Sequence, residues 1–194
     1  MNYHNIVKDD FLNGDGIRTT LFCSGCTHAC PGCHNPETWK KDSGIKFDEE
    51  AKNELFDSLE HDYIDGVTLS GGDPFAVFNR GETLALMQEI KEKFPNKTIW
   101  VYTGYTKEEL ENQGFWQEAK KYVDVLVDGE FKKNLADVSY EWAGSTNQRV
   151  LRKESDLTIN TSAKSSMPYV PPKCECGDRD NYELWIMNDE LKIL

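Results

Sequence analysis

Nothing in the 194 residues approaches a membrane span: the longest apolar runs, such as Val125-Leu126-Val127, fall far short of the ~18 residues one needs. Positive charge is scarce too. Lys and Arg number 22 against 34 Asp and Glu, a formal net charge of −12, so the chain repels a polyanion and is a poor candidate for direct nucleic-acid binding. The start, Met1-Asn2-Tyr3-His4, has neither a basic n-region nor an apolar h-region, so no secretory signal is read and a cytoplasmic address is expected. Internal repeats and a dividing linker are also missing. With 38% hydrophobic and 29% charged residues, the chain suits one globular domain. Residues 1–152 read as the core domain and 153–194 as a polar loop and C-terminal tail packed on it.

The segments that are present alternate strand and helix. Ile17 to Cys23 is β-branched and apolar and runs into a Gly/Cys/Pro loop, and from Asp48 to His61 the residues Ala51, Leu55 and Leu59 recur as a helical stripe with Asp48 as N-cap. Gly66 to Ser70 is a short strand halted by Gly71-Gly72-Asp73-Pro74, followed by a segment with Leu86, Ile90 and Phe94 on one face. Thr98 to Tyr102 is a third strand; after it Thr106-Lys107-Glu108-Glu109 spells a capping box, and the helix breaks at Gly114 before Trp116 and Ala119. Val123 to Val127 is strand again and ends at Asp128-Gly129. Short connectors between such units predict an α/β fold in which helices cross between parallel strands, either a partial (β/α) barrel or an open sheet. Beyond Asp128 the pattern decays, with Arg149-Val150-Leu151 as one further strand and Tyr182 to Ile186 as a terminal strand or docking tail.

In such an architecture the loops leaving the carboxyl ends of the strands share one face, where ligands bind. The first of these loops carries the main chemical signal: of six cysteines, four (Cys23, Cys26, Cys30 and Cys33) fall within eleven residues. With no export signal read, metal ligation is preferred to a disulfide framework. Only three residues separate Cys23-x2-Cys26 from Cys30-x2-Cys33, too few for two zinc knuckles, although His28 and His34 could act as zinc ligands. A closed ferredoxin-type cluster orders its gaps differently. The third option uses Cys26-x3-Cys30-x2-Cys33 alone, so that one iron of a four-iron cube has no protein ligand and can chelate a small molecule. Cys174 and Cys176 sit in a polar, turn-rich stretch and read as exposed thiols.

The Cys26-x3-Cys30-x2-Cys33 triad resembles that of the radical S-adenosylmethionine (SAM) superfamily. The order of further motifs resembles one branch of it, the activases of anaerobic ribonucleoside-triphosphate reductase. These motifs are Asn13 to Arg18, Cys26 to Asn35, Thr38-Trp39, Leu69 to Pro74, Trp100 to Tyr105, Val125 to Gly129 and Gly144 to Arg149. The resemblance covers roughly the first three quarters of the chain. It implies a radical SAM type of partial barrel over residues 1–152, with a 4Fe-4S cluster on Cys26, Cys30 and Cys33 and Cys23 as a bystander. It also implies SAM contacts from Gly32, Cys33, His34, Gly71, Gly72, Asp73, Thr103 and Asp128, with Asp73 facing the methionine ammonium. Gly32 stands where many relatives have an aromatic for the adenine, and Glu130 where some have Lys.

The activity implied is reductive cleavage of SAM to methionine and a 5'-deoxyadenosyl radical, which takes a hydrogen atom from a glycine of the partner reductase. An external one-electron reductant is then required. The alternatives are an activase of another glycyl-radical enzyme, an electron-carrying iron-sulfur protein that uses all four clustered cysteines, and a zinc-stapled interaction module.

Overall fold

The computed structural model describes residues 1–153. The expected strand at Tyr182 to Ile186, the tail from 154 onward and the pair Cys174 and Cys176 lie outside the described residues.

Four parallel strands form the middle of the sheet: β2 (Arg18–Cys23), β4 (Gly66–Gly71), β5 (Thr98–Tyr102) and β6 (Val125–Asp128). They are joined through helices α1 (Glu49–Leu59), α2 (Arg80–Lys93), α3 (Lys107–Asn112) and α4 (Trp116–Ala119). The boundaries follow the local chemistry. Asp48 caps α1 by accepting from the Ala51 amide at 3.1 Å, and Thr106 and Glu109 form the reciprocal capping box at the start of α3. Gly114, at φ +72°, separates α3 from α4.

Three strands extend this parallel core with antiparallel pairings. They are β1 (Asn2–Asp10), the two-residue β3 (Ile45–Lys46) and β7 (Arg149–Arg152), giving a seven-stranded mixed sheet in the order β3-β1-β2-β4-β5-β6-β7. Among the described residues the sheet does not close, and the α/β expectation holds as a mixed sheet with antiparallel edges. The N-terminal strand β1 was not legible in the sequence. β6 begins at Val125, two residues later than expected; the Val123 amide still donates back to Ala119 O in the turn that leaves α4.

Alternation along the strands divides the side chains between two faces. Leu21, Val67, Leu69, Ile99, Val101 and Leu126 face the helices and meet Leu55, Leu59, Met87, Ile90, Leu110 and Trp116 in the main core. Among the described residues the opposite face carries no helix. Its apolar centre is Trp100, Val125 and Val127, against which Tyr102, Trp142 and Val150 pack. On that face lies Arg18, only 1% exposed. Its guanidinium donates to Thr68 Oγ1 and Val67 O at 2.8 Å, Thr98 Oγ1 at 2.9 Å, Thr98 O at 3.0 Å and Asp15 O at 3.1 Å. It also lies 5.3 Å from the Trp100 ring centroid. Burial lowers its pKa to about 10, and at neutral pH it stays charged. None of the described helices is long and apolar enough to cross a membrane.

Candidate functional site

Because β2, β4, β5 and β6 run parallel, the loops that follow them gather at one end of the sheet. The cysteine loop is anchored there from two sides. Gly25 N and Cys26 N donate to Thr38 O and Trp39 O at 2.6 and 2.9 Å, while Gly72 N and Asp73 N donate to Cys23 O and Gly25 O at 2.8 Å each. The second contact explains the glycine pair. Gly71 has φ +93°, and a Cβ on Gly72 would lie 2.6 Å from Gly25 O. The glycines thus let two backbone segments meet, a closer demand than the approach of a ligand.

The four clustered cysteines fall into two environments. Cys23 belongs to β2; its thiol is buried, donates to Ser70 O at 3.2 Å, and is pushed well above its ordinary pKa by burial. Cys26, Cys30 and Cys33 are half-buried on the loop beyond. Burial raises the Cys26 and Cys30 thiols as well, but backbone amides oppose it: those of His28 and Ala29 at Cys26, and that of Phe131 at Cys30. The Asn35 amide points at Cys33 Sγ from 3.4 Å. Amide donors aimed at sulfur stabilise thiolates and tune iron-sulfur centres, so this donor set fits a cluster carried on the three loop cysteines. Among the described residues no three Cys, His, Asp or Glu side chains converge on the site of a single metal ion.

Asp73 is buried beneath this loop and ties it to the next. Its Oδ1 accepts from Phe75 N at 2.8 Å and Thr103 Oγ1 at 2.9 Å, and its Oδ2 from Gly104 N and Thr103 Oγ1 at 3.1 Å. His28 Nε2 lies 3.0 Å from Asp73 Oδ2. The approach is off the line of the N–H, so the contact is a close charge pairing and Nε2 is left without a directed hydrogen bond. On its other side His28 Nδ1 meets Glu130 Oε1 at 2.9 Å. The Asp73 carboxylate, with Glu130 adding to it and burial opposing, raises the imidazolium to about 9.

Of the residues singled out in the sequence, Gly72, Asp73 and Thr103 form one hydrogen-bonded network with the start of the cysteine loop, and Cys26, Cys30 and Cys33 lie further along that loop. Gly32 and His34 are exposed on the same loop, and His34 lies 5.5 Å from Phe131, ring centre to ring centre. Asp128 is turned elsewhere. Its carboxylate takes Arg149 Nε at 2.9 Å, Arg149 Nη2 at 2.5 Å and the Lys107 amide at 2.8 Å, locking β7 and α3 to the end of β6.

Sequence reasoning assigned no role to His28 beyond a possible zinc ligand, and it missed Phe131. It also left Gly144 to Arg149 without a physical task. That segment stitches down the loop after β6: Gln148 Nε2 donates to Gly129 O and Asn147 Nδ2 to Glu130 O at 2.9 Å, and Ser145 Oγ accepts from Lys132 N at 3.1 Å. The aromatic in Asp128-Gly129-Glu130-Phe131, directly after a strand end, was the available signal.

A family model described as "4Fe-4S single cluster domain" matches residues 12–151. Proteins named anaerobic ribonucleoside-triphosphate reductase-activating protein are similar over the same extent. That of Pasteurella multocida is 42% identical over 154 residues, 78% of this chain and 98% of the relative. That of Vibrio cholerae is 44% identical over 154 residues, with the same coverage. That of Escherichia coli K12 is 43% identical over 152 residues, 77% of this chain and 97% of the relative. No solved structure matches the chain.

Proposed function

Since the chain belongs to the family of anaerobic ribonucleoside-triphosphate reductase-activating proteins, with its 4Fe-4S single cluster domain, we propose that it is a radical SAM activase that generates a glycyl radical on that reductase. Cys26, Cys30 and Cys33 would hold the cluster, and three protein ligands to four irons would leave room for SAM to bind it. When bound, cluster and SAM together supply a one-electron cleavage of the sulfonium, whose 5'-deoxyadenosyl radical takes the glycine hydrogen of the partner.

The chain's own part is to bind, orient and hold charge. Cys23 stays out of the ligand set because its thiol is spent inside the sheet. Gly71 and Gly72 fix the cysteine loop against β4, and Thr103 and the Gly104 amide hold the Asp73 carboxylate in one orientation. Asp73 faces the SAM ammonium; in the chain alone that carboxylate pairs with the His28 imidazolium, so a cation is already accommodated there. Gly32, Cys33 and His34 border the cofactor from the cluster side. Asp128 acts at one remove, by fixing Arg149 and α3. The reducing electron comes from an external carrier.

The observation that carries this reading is the division of the four clustered cysteines into three half-buried thiols on a loop and one buried thiol in a strand. The test is anaerobic reconstitution followed by dithionite and SAM. The wild type forms 5'-deoxyadenosine, Cys30→Ser forms none, and Cys23→Ser retains most of it; with the reductase added, electron paramagnetic resonance shows a glycyl radical. Loss of the cluster in Cys23→Ser would favour a four-cysteine electron carrier.

A further inference from the structure

Next to Cys30 lies a cleft of about 490 Å³, within the size range of small-molecule sites. Its apolar wall is Phe131 with Pro31; Glu130, Lys132, Lys133 and Asn134 supply polar groups. The cysteine loop contributes no ring at the position before Cys33, because Gly32 has no side chain there, and a flat apolar surface beside the thiols has to come from another element. Phe131 provides it, and several contacts hold it in place. A Cβ on Gly144 would come within 3.0 Å of Phe131 Cδ2, so the ring edge seats directly on that glycine. The hydrogen bonds from Asn147 and Gln148 to Glu130 O and Gly129 O fix the backbone that carries it. Phe131 and Cys30 line the cleft together. The His34 ring lies tilted 43° to that of Phe131, 5.5 Å between centres.

We propose that Phe131 is the stacking surface for the adenine of SAM, so that the cleft beside Cys30 is the purine subsite and Gly144 to Gln148 is the brace that sets it. This rests on the SAM-binding reading above and deepens it. An aromatic seated before the ligand arrives pays little ordering entropy on stacking, and a base on an aromatic face is worth enough to read by substitution. Glu130 and the two lysines stand at the rim, where exocyclic and ribose polar groups emerge.

The test uses cluster-loaded full-length protein and equilibrium dialysis, with SAM as one probe and L-methionine, which lacks the purine, as the other. Phe131→Ala is expected to weaken SAM binding roughly tenfold and to leave methionine binding within twofold of the wild type. Phe131→Trp restores SAM affinity, whereas Phe131→Leu, which keeps apolar bulk without a π face, does not. The iron and sulfide content of each variant shows that the cluster is retained; if Phe131→Ala loses it, the Leu and Trp pair gives the comparison. SAM affinity in Phe131→Leu equal to that of the wild type overturns the stacking role while leaving the activase reading intact. A wild type that holds its cluster and binds no SAM overturns both.

Discussion

Arg18 shows what one residue can conceal. In the sequence it is a charged position at the edge of a β-branched run; in the fold it is the polar centre of the face without helices, its donors spent on two carbonyls of neighbouring strands, two threonine hydroxyls and the Asp15 carbonyl. No periodicity announces this, because the partners lie 49 and 80 residues away. Arg18→Leu strands those acceptors in a buried setting and is expected to cost about 3 kcal/mol, read as a lower urea midpoint with an unchanged slope. Arg18→Lys recovers only part of the loss, since one ammonium cannot span the same fork. The cysteines were more legible. The resemblance of the Cys26, Cys30 and Cys33 triad set Cys23 apart from the other three, and the strand that buries Cys23 was itself readable from Ile17 onward. Phe131 was hidden because its importance comes from Gly144 and His34, contacts that only the fold creates.

At the scale of elements, the clear signals were periodic stripes and caps. The α1 stripe of Ala51, Leu55 and Leu59 is buried as spaced, and the Thr106 to Glu109 box forms with both of its bonds. Thr106→Ala removes one of them and is expected to cost ~1 kcal/mol, measured by thermal unfolding. The same helix start carries a pH signature. Glu109 is held below the usual carboxylate value of 4.5 by the Thr106 amide and hydroxyl, and Glu108 by the Arg149 guanidinium. Both are lower in the folded than in the unfolded chain. Their stabilisation is therefore complete above about 4.5, the unfolded value, and is lost as pH falls through the depressed folded values. Urea midpoints of cluster-free protein should drop on acidification below that point, with a shallower drop in Glu109→Gln. The strand β1 escaped detection for a physical reason. Two register shifts against β2 and the left-handed Asp9 interrupt the period of two, so the apolar residues never line up as one face.

For the whole molecule, alternation of strand and helix correctly gave the parallel centre of the sheet and the shared end where its loops meet. It could not give the antiparallel edges, which depend on pairings between distant segments. The relatives match this chain over nearly their whole length while covering 78% of it, and the family model ends at residue 151. A chain ending at Lys153 is accordingly expected to keep its cluster and its SAM binding, checked by iron content and dialysis. The net charge of −12 sets a second expectation. If association with the reductase draws on a basic surface of that partner, the dissociation constant should weaken steadily with added salt, and a salt-insensitive constant would exclude such attraction.

The placement of Cys23 also turns the protein into its own gauge of integrity. Of the four clustered cysteines, an alkylating reagent offered to cluster-free protein should label the three loop thiols quickly. Cys23, whose sulfur is sealed between neighbouring strands, reacts only when the sheet itself comes apart. The interval between those two phases of labelling, followed by mass spectrometry, would report how often the scaffold breathes, with no residue changed.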